Sequence, residues 1–89
     1  MTSYSKEFPD YGPMDVVIPE GFKDTSWHND ICPSFSSATH KIWVDYANPE
    51  HRELEYQSRF TLCLIDADGE YIDTVAQSDD WADILNALG

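Results

Sequence analysis

The segment from Arg59 to Ala76 constrains the fold of this chain more than any other. Arg59 to Ile65 is rich in Phe, Thr, Leu and Ile, and its alternation sets Phe60, Leu62 and Leu64 on one face. Asp68-Gly69 follows, flanked by Ala67 and Glu70, and Glu70 to Ala76 returns as a second β-prone run. Asp-Gly between two such runs is a strong hairpin signal, because a type I′ turn needs positive φ at both central residues. The segment predicts two antiparallel strands closed by that turn.

The flanking segments extend this unit. Lys41 to Tyr46 alternates with Ile42, Val44 and Tyr46 on one face, which predicts a third strand. Ala47 to Glu55 is a polar connection carrying the turn signal Asn48-Pro49. Ser78-Asp79-Asp80-Trp81 opens a helix, with Ser78 as its cap and the two aspartates at the positive end of its dipole. Trp81, Ile84, Leu85 and Leu88 form one apolar stripe, and Gly89 is the stop signal. A helix this short needs a sheet to stabilise it, so the whole stripe, Leu85 included, is expected to pack across the strands. The expected fold is α+β: a small three-stranded antiparallel meander with a packed C-terminal helix. Residues 1–89 read as a single small acidic domain.

The N-terminal half is expected to be irregular. Residues 1–38 hold four of the five prolines, and only Val16-Val17-Ile18 reads as a short strand, stopped by Pro19. Pro19-Glu20-Gly21 reads as a turn. Asp24 to Ser37 is expected to be loop, with Phe22, Trp27, Ile31 and Phe35 packing in, and the first dozen residues to be loosely held. Met1 to Lys6 carries no apolar stretch of the signal-peptide kind, and no apolar run approaches the roughly 20 residues of a membrane helix. A cytoplasmic protein, in a bacterial host cell, is the expectation.

Length limits the chemistry. A chain of 89 residues buries only about 60–65% of its unfolded surface, which leaves one thin core and little room for a deep cleft. Asp66-Ala67-Asp68-Gly69-Glu70 resembles the start of a calcium loop, but Tyr71 and Gln77 hold the positions where that loop needs Gly and Glu. His28, Asp30 and Cys32 alternate, and His40 or His51 would complete a zinc set by ligand type, yet the spacing fits no structural zinc pattern. A thiol-dependent centre at His28, Cys32 and Cys63 lacks a Gly-rich oxyanion loop. There is no P-loop and no dinucleotide fingerprint. No cofactor, no metal and no enzymatic activity are expected. Cys63, inside an apolar run, reads as a buried free thiol, with a bridge to Cys32 left open.

Charge is the outlying property. Seventeen Asp and Glu face five Lys and Arg, for a net −12. Residues 45–89 alone hold eleven acidic and two basic side chains. Such a chain repels nucleic acid and anionic membranes and attracts basic surfaces. The carriers expected to meet a partner are Asp66, Asp68, Glu70 and Asp73 on the hairpin and Asp79, Asp80 and Asp83 at the helix start. Glu50, Glu53 and Glu55 form a further cluster. Trp27 and Trp43 are candidate aromatic anchors, with core packing as the plainer role for each.

In its shortness, its acid excess, its lack of motifs and the strand–strand–strand–helix pattern over Lys41 to Leu88, the chain resembles small acidic proteins of phages and mobile elements of the anti-CRISPR type. That resemblance implies a stoichiometric inhibitor that mimics DNA and blocks DNA recognition by a CRISPR effector complex; it implies no role for any single residue. The expected function is an inhibitory binding protein on the basic surface of a nucleic-acid-binding protein or complex. One alternative is an antitoxin or immunity protein capping a basic nuclease. The alternatives of another class are a small metal- or thiol-dependent catalyst and an accessory subunit whose acid serves only solvation.

Overall fold

The computed structural model describes residues 4–53 and 58–88. Five strands form one antiparallel sheet in sequence order: β1 (Lys23–Asp24), β2 (Ser34–Ser36), β3 (His40–Val44), β4 (Phe60–Ile65) and β5 (Tyr71–Ser78). A short helix α1 (Tyr4–Glu7) precedes the sheet and α2 (Trp81–Leu88) follows it. The α+β class and the C-terminal helix agree with the sequence reading; the meander has five strands rather than three. β1 and β2 arise inside the stretch read as loop. They pair Lys23 with Ser36 and Asp24 with Phe35, and β2 continues onto β3 through Phe35 and Ile42.

One face of the sheet carries the core. Phe35, Ile42, Val44, Phe60 and Leu62 point to it from three strands and meet Ile84 of α2. The chain before β1 covers the same face. Tyr4, Tyr11, Met14, Val16, Ile18 and Phe22 pack on the core cluster beside Trp81 and Leu88. Of the first dozen residues, expected to be loosely held, the described ones, 4–12, are anchored to the domain: Tyr4 N–H donates to Asp24 Oδ2 at 2.6 Å, and Phe8 is buried. Val16 to Ile18 forms no strand. Val16 and Ile18 pack on the core while Val17 between them is 84% exposed, so this segment covers the core as a non-strand stretch. Gly21 at φ +91° and the Phe22 N–H to Pro19 C=O bond confirm the turn before β1.

The hairpin between β4 and β5 exists, but its turn is not the two-residue type I′. Only Gly69 has positive φ there, at +83°. Gly69 N–H donates to Asp66 C=O and Asp66 N–H to Glu70 C=O. This is a type I turn followed by a left-handed glycine, the three-residue hairpin loop. β5 also carries two register shifts against β4, which leave Val75 and Ile72 as extra residues without a cross-strand partner. Both are exposed.

The helix corrects two further expectations. Asp80 is its cap, with Oδ1 accepting the Ala82 N–H at 3.0 Å. Ser78 instead accepts the Asp80 N–H and donates to Asp83 Oδ2 at 2.7 Å. Ile84 is completely buried, and Trp81 and Leu88 are half-buried, but Leu85 is 43% exposed and does not pack across the sheet. Asn48 caps a 3-10 turn at Pro49–His51, as the Asn-Pro signal predicts. Glu55 and Gly89 lie outside the described residues.

Candidate functional site

The acidic residues singled out by sequence are spread along one edge of the sheet. β5 pairs only with β4 and so forms that edge. Asp66, Asp68, Glu70 and Asp73 lie at its start; Asp79, Asp80 and Asp83 lie beyond its end. Asp73 of the first group stands six residues before Asp79 of the second, roughly 20 Å at the rise of an extended chain. All seven are exposed. Several also hold local structure. Asp66 Oδ1 accepts the N–H groups of Asp68 (2.9 Å) and Glu70 (3.0 Å), which closes the turn. Asp73 accepts from Thr74 N–H, and Asp79 Oδ1 accepts the Arg59 N–H at 2.7 Å. Asp68 and Glu70 have no such bonded role among the described residues.

The cations are placed the other way. Arg59 lays its guanidinium on Asp15 with two bonds of 2.6 and 2.9 Å, on Tyr11 Oη at 3.2 Å and on the Asp45 carbonyl at 2.9 Å. That pairing holds the Asp15 carboxyl below its ordinary range. Arg52 bonds the carbonyls of Tyr46 and Ala47 and reaches Asp79 at 3.8 Å. Lys41 sits over the Trp43 ring, 4.3 Å from its centroid. Lys6 and Lys23 are exposed.

Opposite the core, the other face of the sheet carries a cleft of about 340 Å³. Trp43, Thr61 and Gln77 are cross-strand neighbours and form its floor. Asn29, Asp30, Ile31 and Cys32 form one wall, and Asp45, Ser58 and Arg59 complete it. The wall is tied down at its base. Ser26 and Ser34, both fully buried, exchange hydrogen bonds, Thr25 N–H donates to Ser34 C=O, and Val44 N–H donates to Pro33 C=O.

Asp45 is the unusual group. It is 3% exposed, and two residues after Trp43 it shares that side of the strand. Its Oδ1 accepts the Tyr46 N–H at 2.8 Å. Burial pushes its carboxyl up, against the pull of that bond and of Arg52 and Arg59. Burial, then the nearby charges of Asp45 and Asp30, push the Cys32 thiol far above its ordinary range. A thiol held protonated in this way is a poor nucleophile. Alternation placed Asp45 on the polar side of its strand, where the fold buries it in a cleft also lined by residues 29–32 and Arg59.

The two tryptophans part company. Trp43 is half-buried and lines the cleft, while Trp27 is 47% exposed and stacks on His28 with ring centroids 4.2 Å apart. His28 Nδ1 lies 3.0 Å from Glu7 Oε1. Cys32 and Cys63 are both free and buried. No group of three His, Cys, Asp or Glu among the described residues is placed to hold a metal ion. No helix among the described residues is long and apolar enough to cross a membrane. No protein-family model, no curated protein and no solved structure matches this chain.

Proposed function

We propose that this domain is an inhibitory binding protein that occupies a basic, nucleic-acid-holding surface of a partner with its acidic β5 edge. The observation that carries this reading is the division of charge: carboxylates stand along β5, while both arginines are committed to internal contacts. Carboxylates at both ends of a strand give an extended acidic row, which suits a groove shaped for a phosphate backbone. Exposed Tyr71, Ile72 and Val75 are interspersed with these carboxylates along β5 and offer apolar contact area in the same footprint. The resemblance in size and charge to anti-CRISPR proteins makes the positively charged DNA channel of a CRISPR effector the first partner to try.

The test is competition on guide-loaded effector complexes with labelled target DNA. The domain should displace DNA, and excess DNA should displace the domain. Association should slow as salt rises, because the Debye length falls from about 10 Å at 0.1 M to about 3 Å at 1 M. Asp68→Lys, Glu70→Lys and Asp73→Lys together should weaken binding without unfolding the domain; Asp66 is spared because it closes the turn. A ternary complex with DNA fully bound, or binding indifferent to both salt and the reversals, would refute the proposal.

A further inference from the structure

We infer that the cleft floored by Trp43 is a receiving site for a single guanidinium group on an apolar stem, held by the carboxylates of Asp45 and Asp30. The inference rests on the binding reading above only for where such a group comes from. The cleft itself is a property of the uncovered face of the sheet, distinct from the β5 acids.

Charge makes the first part of the case. The ionisable carboxylates lining the cleft are Asp30 and Asp45, and its one cation is Arg59. Arg59 is already engaged by the paired oxygens of Asp15 and by Tyr11. Arg52, the other guanidinium that acts on Asp45, bonds the carbonyls of Tyr46 and Ala47. Among the described residues the Asp45 carboxylate accepts one hydrogen bond, from Tyr46 N–H, at a burial where a carboxylate gains from a directly paired charge. Asp45 lines the cleft beside Asp30.

Shape and surface chemistry make the second. The cleft's volume of about 340 Å³ is at the low end for ligand sites and suits one long side chain or a small amine. Its lining mixes the Trp43 ring and Ile31 with the carboxylates and with Thr61, Gln77 and Asn29 as hydrogen-bond partners. The Trp43 ring already takes one cation, Lys41, which does not line the cleft. A guanidinium is weakly hydrated and planar, stacks on aromatic faces and forks onto carboxylates; a compact, strongly hydrated ammonium does these less well. An arginine side chain of a bound protein and a free small guanidine share this chemistry.

The experiment is a titration of the ¹⁵N-labelled domain with N-acetyl-L-arginine amide, followed by amide and indole shifts. Its neutral isostere, N-acetyl-L-citrulline amide, is the control. Saturable shifts at the Trp43 indole, Thr61 and Gln77 are expected with the arginine probe and not with citrulline. Asp45→Asn keeps an acceptor for Tyr46 N–H and should weaken binding by about tenfold or more. Gln77→Arg, on an exposed strand position, should abolish it by placing the chain's own guanidinium in the cleft. The triple lysine variant of the hairpin should bind the probe as the parent does, even while losing the macromolecular partner. Tighter binding of a Gly-Gly-Arg-Gly-Gly peptide than of agmatine assigns the site to a protein's arginine; the reverse order assigns it to a small guanidine. Equal shifts with citrulline, unchanged affinity in Asp45→Asn, or loss of probe binding in the hairpin variant would overturn the inference.

Discussion

Asp45 shows how a single residue's environment sets its sign. Its folded carboxyl is pushed up by burial, so the folded state binds that proton more readily than the unfolded chain does. Ionisation therefore opposes folding at every pH above the group's unfolded value. Asp45→Asn should accordingly be more stable than the parent near neutral pH. The advantage should shrink as pH falls through the folded value, and vanish below the ordinary Asp range of about 4. Asp15 has the opposite sign: Arg59 holds it low, so its contribution is present above the unfolded value and is lost as pH falls through the folded one. Urea unfolding of parent and Asp45→Asn at neutral and acid pH measures the difference. A less stable variant at neutral pH would show that Arg52 and Arg59 fully compensate the carboxylate. A group that lowers stability while lining a cleft is the pattern expected of a residue kept for binding.

At the scale of an element, α2 is held chiefly through one completely buried side chain, Ile84. Eight residues do not make a stable helix alone, so its order comes from the sheet and from the Asp80 cap. Ile84, with no exposed surface, sits among Val44, Phe60 and Leu62 in the core cluster. Ile84→Ala should lower stability by about 2–5 kcal/mol, through lost transfer energy and the cavity left behind. Leu85→Ala, at a 43% exposed position, should cost less than about 1 kcal/mol. Denaturation midpoints of the two variants check both numbers. A larger loss at Leu85 than at Ile84 would mean that the helix packs through a different face. Phe60 and Trp81, with ring centroids 5.0 Å apart in an edge-on arrangement, anchor the first turn to β4.

The whole molecule places a net −12 within extents of 30 × 28 × 21 Å. Charges of one sign at such spacing repel, and the compact state holds them closer than the unfolded chain does. The melting temperature of the isolated domain should therefore rise as salt is added from low ionic strength. A scanning series in sodium chloride tests this, and a flat or falling series would show that local pairs such as Arg59 with Asp15 outweigh the repulsion. A basic partner would relieve the same repulsion, so salt should stabilise the free domain while slowing its capture. That opposition distinguishes an acid surface that serves binding from one that serves only solvation.

Local chemistry in the sequence was enough to determine the α+β class, the strand read over Lys41 to Tyr46, which ends at Val44, the strand at Arg59 to Ile65, the returning strand, the turns at Pro19-Glu20-Gly21 and Asn48-Pro49, and a helix after Ser78. Each rests on a period or a turn residue within a few positions, which is where sequence patterns carry information. The exposure of the seven acidic residues of the hairpin and helix start was legible for the same reason. Tertiary structure alone decided the rest. Two- and three-residue strands such as β1 and β2 carry no period, and only pairing with β3 makes them strands. Val16 to Ile18 has strand-like residues, but the open face of the sheet took it as a cover. Leu85 belongs to the helical stripe, yet the tilt of α2 on the sheet buries Ile84 and leaves Leu85 at the rim. Asp45 reads as a polar strand residue, yet the fold buries it in the wall of a cleft that residues 29–32, distant in sequence, help to line. Burial is set by whatever segment folds over a residue, and a linear pattern does not contain that partner.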